Sequence, residues 1–508
     1  MHYKVFIPSA GLGSRLGCLS KNLNKALVSI ANKPAISYII DKIPNDVEIV
    51  VAVGHKKDIL KQFLDIVYAD RKITVVDIDP YQGEGSGLGY TILQCKKYLQ
   101  CPFIFCSNDT IFIEDFPESD EDWIGFSRQD SISDYRTLKI KNGLVTHLLE
   151  KGQPGIDLFP YIGLASFRNY ESFWSYMDSG KSFGSITEGE SYAIKKLLLN
   201  SKIKSREFTW FDIGNIRGLD KASLYFNSDI NVLPKPDEAI WFVNNKVIKY
   251  SGDLDFIKNR VARAANLKFT PRITKYTDNM YCYDRVSGKP LSSIYSLDTF
   301  NRLLTFLFND FWKLTGNKIN CQQFYFDKTQ DRINQYLGGK TNGSETINGK
   351  LIPSIETLLS QVKWVDLLNG VESTYHGDLH LENILLADNG DFVFLDWRQD
   401  FQGNLEYGDI YYDFAKLNHG LIVNHEIVNS NNFSIDIRDD NVNFDICVPY
   451  RLVECQKNFR NEIVNRGFDW DRVELLTAII FLNIAPLHHT PYNHLLFYLG
   501  KYMLWNLL

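Results

Sequence analysis

The sequence predicts an α/β chain in two parts: a Rossmann-like, doubly wound sheet domain at residues 1–226 and a bilobal α+β domain at 240–508, joined by a linker at 227–239. Three observations carry this. Up to about residue 225, short apolar runs alternate with helical stretches, the pattern of a parallel sheet covered on both faces. Asn227 to Ala239 (NSDINVLPKPDEA) then brings two prolines and no periodicity. Beyond it a strand-rich stretch gives way to helices, implying a small sheet lobe at about 240–290 and a larger helical lobe at about 291–508. A chain of 508 residues is too long for one core.

Within the first part, Val5 to Ile7, Val47 to Val53, Ile73 to Ile78 and Phe103 to Cys106 read as strands, and Ala35 to Lys42 and Asp58 to Val67 as helices. Within the second, Ile240 to Phe242 and Val247 to Tyr250 form a hairpin about Asn244-Asn245. A helix at Asp253 to Asn266 and a strand at Met280 to Asp284 follow. Helices then dominate, interrupted by a strand pair at Asn383 to Leu386 and Phe392 to Asp396, and Lys340 to Lys350 reads as a mobile surface loop.

Composition excludes several classes. Hydrophobic residues make up 44% and charged residues 23%, which argues against disorder. A net charge of -6 argues against a large nucleic-acid footprint. The eight cysteines show no CxxC pair or zinc spacing and read as reduced thiols. Neither a signal peptide nor a stretch long enough for membrane insertion is evident, so a cytoplasmic protein is expected.

Chemistry-bearing residues fall into two groups. In the first, Ala10-Gly11-Leu12-Gly13-Ser14-Arg15 follows the first strand, where backbone amides without intervening side chains can approach phosphate oxygens. A dinucleotide fingerprint would need a small residue where Leu16 stands, and a Walker A loop would need Gly-Lys-Ser/Thr. What remains is Gly-x-Gly-x-Arg, with Arg15 and Lys25 as cations, or a plain glycine turn with two solvated basic residues. Asp109 at the end of a strand and Asp212 in Trp210 to Asn215 add two carboxylates, a plausible Mg²⁺ pair beside a triphosphate.

This segment, essentially residues 1 to 225, resembles the nucleotidyltransferases that join NTPs to sugar phosphates or phosphocholine. Their Gly-x-Gly-[Ser/Thr]-Arg and Pro-Lys-x-Leu motifs stand here as Gly11 to Arg15 and Asn24-Lys25-Ala26-Leu27, with Asn24 in place of the usual proline. Gln82-Gly83-Glu84-Gly85-Ser86-Gly87 resembles the base-recognition loop, and Glu150-Lys151-Gly152 the segment whose lysine holds the acceptor phosphate. The resemblance implies attack of an acceptor phosphate on the α-phosphorus of CTP or UTP. Lys25 and Arg15 would hold the triphosphate, Lys151 the acceptor phosphate, and Asp109 with Asp212 the Mg²⁺. Ala10, Gly11, Gly13, Ser14, Gln82, Gly83, Gly85 and Ser86 would line the nucleotide.

The second group is His376-Gly377-Asp378-Leu379-His380-Leu381-Glu382-Asn383, with Asp396 thirteen residues after the asparagine. A metal site on His376 and His380 would need helical placement and a third ligand, which Gly377 and the strand pattern oppose. A kinase reading explains more residues: Asp378 orients an acceptor hydroxyl, and Asn383 and Asp396 are Mg²⁺ ligands. The segment resembles the aminoglycoside phosphotransferase and choline kinase family, implying a protein-kinase-like fold and ATP as donor. Lys249 matches its ATP-phosphate lysine, and Gly408 to Ala415 contains an aspartate, Asp413, that in the family supports structure. One departure stands out: the helix after Lys249 contains no glutamate to pair with it, and only Asp253 or Asp255 could substitute. Trp397, Tyr411 and Tyr412 could supply aromatic faces to a choline-like acceptor, whereas Arg398 favours a neutral or anionic one. Together the groups predict a bifunctional enzyme that phosphorylates a small hydroxyl compound (sugar, polyol or amino alcohol) and then couples it to an NTP, CTP ahead of UTP; the two resemblances imply that the product feeds surface polysaccharide assembly. The alternatives are a choline kinase with phosphocholine cytidylyltransferase, or one active transferase with a degenerate kinase-like regulatory domain.

Overall fold

Strands whose residues are apolar without alternation must be buried on both faces. Lys4–Ser9 behaves this way: Val5 and Ile7 enter one apolar cluster and Phe6 another on the opposite face. In the computed structural model, which describes residues 3–129, 132–227, 237–340 and 342–508, it lies at the centre of a parallel set. Glu48–Val53 pairs with it on one side and Phe103–Cys106 on the other, with Ile73–Asp77 beyond Glu48–Val53. Helix Lys57–Val67 presents Leu60, Phe63, Leu64, Ile66 and Val67 to the core.

The sheet has nine strands and is mixed, not parallel throughout. Trp123–Phe126, Thr137–Lys141, Leu144–Leu149 and Leu158–Phe167 follow one another without a helix between them. Parallel neighbours need a long crossover, so such a run turns back on itself. Leu158–Phe167 accordingly pairs antiparallel with Phe103–Cys106, Trp123–Phe126 and Thr137–Lys141.

A four-stranded sheet follows, built from Glu238–Val243, Lys246–Ser251, Met280–Asp284 and Ile273–Tyr276. Its first turn holds Asn244 and Asn245 at φ 51° and 58°, the left-handed pair that a two-residue hairpin needs. By compactness the chain divides into Met1–Leu254 with Thr274–Arg285, and Asp255–Ile273 with Val286–Leu508. Strands 238–251 therefore group with the amino-terminal residues. Trp241 is fully buried there, its Nε1 donating to Ser29 Oγ at 2.9 Å and its ring 5.4 Å from Phe63. Tyr250 OH donates to Asn22 O at 3.0 Å. This division falls later in the chain than the linker expected at 227–239, of which 228–236 lie outside the described residues.

The second unit is richer in strands than its composition suggests. The expected pair is present as Ile384–Ala387 and Phe392–Phe394, joined by Gly288–Pro290. Leu314–Asn320, Asn369–Thr374 and Tyr407–Asp409 form a further sheet. The segment expected to be a loop at 340–350 instead contributes Glu345–Ile347, which pairs with Lys350–Ile352 and joins Asn441–Ile446. Its polar sequence hides the reason: Glu345 is buried, ion-paired with Lys501 at 2.5 Å and accepting from Tyr498 OH at 2.8 Å. Helix Ile410–Ile422 is buried on nearly every face, with Tyr450–Asn465, Trp470–Ile484 and Tyr492–Leu507 in the same apolar cluster. Among the described residues no helix is long and apolar enough to cross a membrane.

Candidate active sites

The two carboxylates of the first group meet because of strand register. Thr110–Phe112 pairs antiparallel with Trp210–Asp212, placing Thr110 opposite Asp212, and Ile213 N donates to Asp109 O at 3.1 Å. Asp109 and Asp212 thus converge on Gly214. A Cβ added there would meet Asp109 Oδ2 at 2.8 Å, Asp212 Oδ1 at 2.9 Å and Arg15 Nη2 at 3.0 Å. Asp212 accepts from Gly214 N at 2.9 Å, Asn215 Nδ2 at 2.9 Å and Tyr135 OH at 3.1 Å, which fixes its orientation. Asp109 accepts from Ser107 Oγ at 2.5 Å and is ion-paired with Lys25, with Arg15 Nη2 at 3.9 Å. Burial works to raise the Asp109 pKa, but the Lys25 charge and hydrogen bond, Ser107 and Arg15 together hold it below the ordinary value.

Lys25 is itself held by its neighbour. Asn24 is fully buried; its Oδ1 accepts from Ala26 N at 2.9 Å, while its Nδ2 donates to Ser9 O at 3.0 Å and His55 O at 2.6 Å. The amide therefore caps the 3₁₀ turn Lys25–Leu27 and ties it to the ends of two core strands, work that proline, lacking a side-chain donor, cannot do. Gly13 at φ 68° packs against Lys25 Cβ, whereas Gly11 is exposed with open space around its missing side chain. Ala10 is buried and its carbonyl accepts from His55 N at 3.0 Å. Ser14 opens the 3₁₀ segment Ser14–Ser20, which is broken by a kink at Gly17. Gln82, Gly83 and Gly85 form an exposed loop, with both glycines at positive φ, and Ser86 Oγ closes it on Gly83 O at 2.7 Å. Lys151 stands in an exposed turn; its neighbour Glu150 is ion-paired with Lys195 and with Arg136 at 3.0 Å. Among the described residues the ion pairs of Asp109 are with Lys25 and Arg15, not with Lys151.

These residues fit Mg²⁺ in one respect: two carboxylates face one small residue. Among the described residues no three His, Cys, Asp or Glu side chains gather as a metal cluster. A cation at Gly214 would therefore complete its shell with nucleotide and water oxygens. Gly214→Ala tests how closely the site is built. The added methyl pushes the Asp109 and Asp212 carboxylates off the positions their partners hold, so nucleotidyl transfer is expected to fall about 100-fold and the melting temperature to drop with it.

Glu190 is a buried titratable group that the sequence reading missed. It opens helix Glu190–Asn200 beside the buried Tyr161 hydroxyl, and burial pushes its carboxyl up to about 7 against the pull of Arg136. A carboxyl raised in the folded state costs nothing below the unfolded value of about 4.5; the destabilisation builds between that pH and about 7 and is constant above it. Glu190→Gln is expected to melt like the parent near pH 4.5 and to be about 3 kcal/mol more stable at pH 8. Thermal denaturation at both pH values checks this.

In the second unit, the loop His376 to Asn383 is fixed from behind. Asp413, fully buried, accepts from His376 N at 2.7 Å, Gly377 N at 2.7 Å and Trp312 Nε1 at 3.1 Å. Gly377 takes φ 85°, where a Cβ would strike Arg398 Cβ at 2.6 Å. Asp378 emerges with its Oδ1 2.6 Å from Lys416 Nζ, and Asn383 Nδ2 donates to Asp378 O at 2.9 Å and Oδ2 at 3.3 Å. Leu395 N donates to Asn383 O at 2.8 Å, bringing Asp396 beside the loop; Asp396 has φ 54°, a left-handed conformation that is costly for a side-chain-bearing residue. Burial works to raise the Asp378 pKa, yet Lys416 and His380 hold it well below the carboxylate range. His380 is opposed by burial but raised to about 9 by Asp378 and by Glu382, whose Oε2 lies 2.8 Å away.

The helix that lacks a glutamate supplies arginines to the site. From Leu254–Ala264, Arg260 Nη1 donates to Asp396 Oδ1 at 3.0 Å, and the buried Arg263 donates to His376 O at 3.1 Å and to Tyr375 O and Arg398 O. Lys249 is buried on Lys246–Ser251, within the first compact unit. Trp397, expected at the acceptor, is a core residue whose Nε1 donates to Arg260 O at 3.1 Å. Tyr411 is likewise buried and its hydroxyl accepts from Asp469 N at 3.0 Å. Lys416, Arg260 and Arg263 were invisible in the sequence because no motif spacing links them to Asp378 or Asp396.

No family model matches the chain. A bifunctional GlmU protein of Methanococcus vannielii is 29% identical over 242 residues, covering 44% of this chain and 55% of that protein. The uridylyltransferase AglF of Haloferax volcanii, which its name assigns to UTP and glucose 1-phosphate, is 30% identical over 106 residues, covering 20% of this chain and 42% of its own length. The solved structure of the phosphocholine cytidylyltransferase LicC from Streptococcus pneumoniae aligns with a TM-score of 0.39 at 19% identity, over 45% of this chain and all of that one. The chain spans just over half the length of the GlmU relatives it matches. The amino-terminal half of the chain is thus similar to nucleotidyltransferases.

Proposed function

We propose that the chain is a bifunctional transferase, with nucleotidyl transfer at Asp109 and Asp212 and phosphoryl transfer at Asp378. The convergence of Asp109, Asp212 and Arg15 on Gly214, with Lys25 paired to Asp109, supports the first. A phosphate oxygen of the acceptor bonds to the α-phosphorus of CTP or UTP, the α,β-bridging bond breaks, and pyrophosphate leaves. Lys25 and Arg15 neutralise the triphosphate, Lys151 holds the acceptor phosphate, and the glycine loops at 11–14 and 82–86 surround the nucleotide. Mg²⁺, bound by Asp109 and Asp212, would supply charge neutralisation on the phosphates. Catalysis of this kind is alignment and electrostatics and needs no covalent nucleophile.

For the second activity the supporting observation is that Asp413 rigidly holds the loop presenting Asp378 and Asn383. The acceptor hydroxyl oxygen bonds to the γ-phosphorus of ATP, the β,γ-bridging bond breaks, ADP leaves, and the hydroxyl proton passes by way of Asp378 to solvent. Lys416 and Asn383 hold the Asp378 carboxylate in place to orient the hydroxyl and receive its proton as the bond to phosphorus forms. Asn383, whose amide nitrogen is turned to Asp378, keeps its carbonyl oxygen for Mg²⁺ together with Asp396. Lys249 is proposed at the ATP phosphates on its sequence motif alone.

The test offers the full chain ATP, CTP, UTP, Mg²⁺ and a pool of hydroxyl compounds, with products read by mass spectrometry. Asp378→Ala should lose ATP consumption yet still couple the phosphorylated acceptor when it is supplied. If Asp378→Ala consumes ATP as the parent does with every acceptor, phosphoryl transfer is not its activity. Recovery of coupling in that variant links the two reactions.

A further inference from the structure

Cations gather beside the loop that presents Asp378. Helix Lys328–Leu337 sets Lys328 and Arg332 four residues apart, hence on one face. Arg398, two residues beyond Asp396, donates its backbone N–H to His376 O at 3.0 Å and lays its guanidinium over the Phe324 ring at 4.6 Å. Lys328 Nζ lies 4.4 Å from the same ring and 5.8 Å from that of Tyr412. Tyr412 is one helical turn before Lys416, whose Nζ touches Asp378. Lys328, Arg332 and Arg398 border an open cavity of about 490 Å³, large enough for a small metabolite.

The three cations share the cavity with as many acids without pairing to them, and Arg332 Nη1 donates to Gln335 Oε1 at 2.9 Å. Among the described residues none of the three forms an ion pair with a carboxylate, and the buried Arg398 Nε has no hydrogen-bond partner. The cavity does hold acids, Asp327, Asp331 and Asp400. Asp327 and Asp331 are exposed, Asp327 accepts from Gln322 Nε2 at 3.2 Å, and Asp400 from Gly403 N at 2.8 Å. Burial, then the charges of Arg398, Lys416 and Arg332, push Lys328 well below its ordinary pKa, with Asp378 working the other way. An oxyanion arriving in the cavity relieves that repulsion. A cationic acceptor would add to it.

We propose that the hydroxyl compound phosphorylated at Asp378 carries an oxyanion, a carboxylate or a phosphate, and that Lys328, Arg332 and Arg398 hold that group during transfer. The proposal rests on the kinase reading above. The oxyanion takes no part in bond making; it positions the hydroxyl at Asp378. It also excludes the choline-like acceptor that aromatic residues alone would allow.

Two measurements on the full chain test it. Calorimetry titrates inorganic phosphate and gluconate into the parent, Lys328→Met and Arg398→Ala. Phosphoryl transfer from ATP with Mg²⁺ is followed with hydroxy acids, phosphorylated polyols, neutral sugars and amino alcohols offered separately. The expected result is anion binding weakened about tenfold or more in both variants, transfer confined to the hydroxy acids or the phosphorylated polyols, and a raised acceptor KM with the ATP KM unchanged. Which pool is used identifies carboxylate or phosphate. Lys328→Met, which removes a desolvated charge, should also melt at a higher temperature than the parent and so remains informative where Arg398→Ala folds poorly. Equal anion binding in parent and variants, transfer to amino alcohols or neutral sugars unaffected by the substitutions, or a change in ATP KM instead would overturn the proposal. Anion binding lost in the variants with no transfer to any pool would leave the anion site standing and remove the kinase reading.

Discussion

Asp109→Asn is expected to lower nucleotidyl transfer at least about 1000-fold while leaving the chain folded. Asparagine keeps the shape and can still accept from Ser107 Oγ, but it removes the charge that meets Asp212 at Gly214. A second cost comes from Lys25, whose side chain is only 12% exposed and would lose its carboxylate partner. Breaking one half of a buried pair costs about 3 kcal/mol, because the remaining charge stays desolvated. Adding Lys25→Met should therefore restore much of the stability of Asp109→Asn without restoring activity. Pyrophosphate release and thermal melting, measured on the two single variants and the double, separate the catalytic effect from the structural one. A double variant that recovers turnover would mean the carboxylate acts only to neutralise the lysine.

The largest stability effect is expected at Asp413→Ala. Three buried donors, His376 N, Gly377 N and Trp312 Nε1, lose their acceptor together. Each buried unsatisfied donor costs about 1–3 kcal/mol, so a loss of about 4 kcal/mol or more follows. The damage should be confined to the second compact unit: calorimetry should show its transition moved down, and ATP consumption should vanish, while pyrophosphate release persists at temperatures where the first unit is folded. Asp413→Asn retains one acceptor oxygen and should lie between the parent and the alanine variant. A uniform downward shift of the whole melting profile would show that Asp413 does not act locally.

Much of the first unit was legible because burial on both faces writes continuous apolar runs such as Glu48–Val53 and Phe103–Cys106. Its antiparallel half was not. Leu158–Phe167 carries Pro160 and a left-handed Gly163, which obscure the strand signal that its ten residues would otherwise give. The hairpin at 345–352 was hidden by polarity, since its buried glutamate is compensated by a lysine 156 residues away. Motif spacing pointed to Asp109 and Asp378 because each sits just after a strand or within a tight loop. The groups that tune them came from elsewhere. Lys416 reaches Asp378 across 38 positions of sequence, and Arg260 reaches Asp396 across 136. Such meetings are set by helix packing, which a periodic pattern does not encode.

The division into compact units has a consequence for how this chain could be taken apart. The backbone passes from one unit to the other after Leu254, returns at Thr274 and leaves again after Arg285. No single scission therefore liberates either half intact. A truncation ending near residue 226 would strip away Trp241, Ile248 and Met280, laying bare the apolar surface around Phe63 that they cover. Such a fragment would precipitate through that uncovered face. The two compact units are interleaved in the chain, so neither exists as one continuous stretch of sequence.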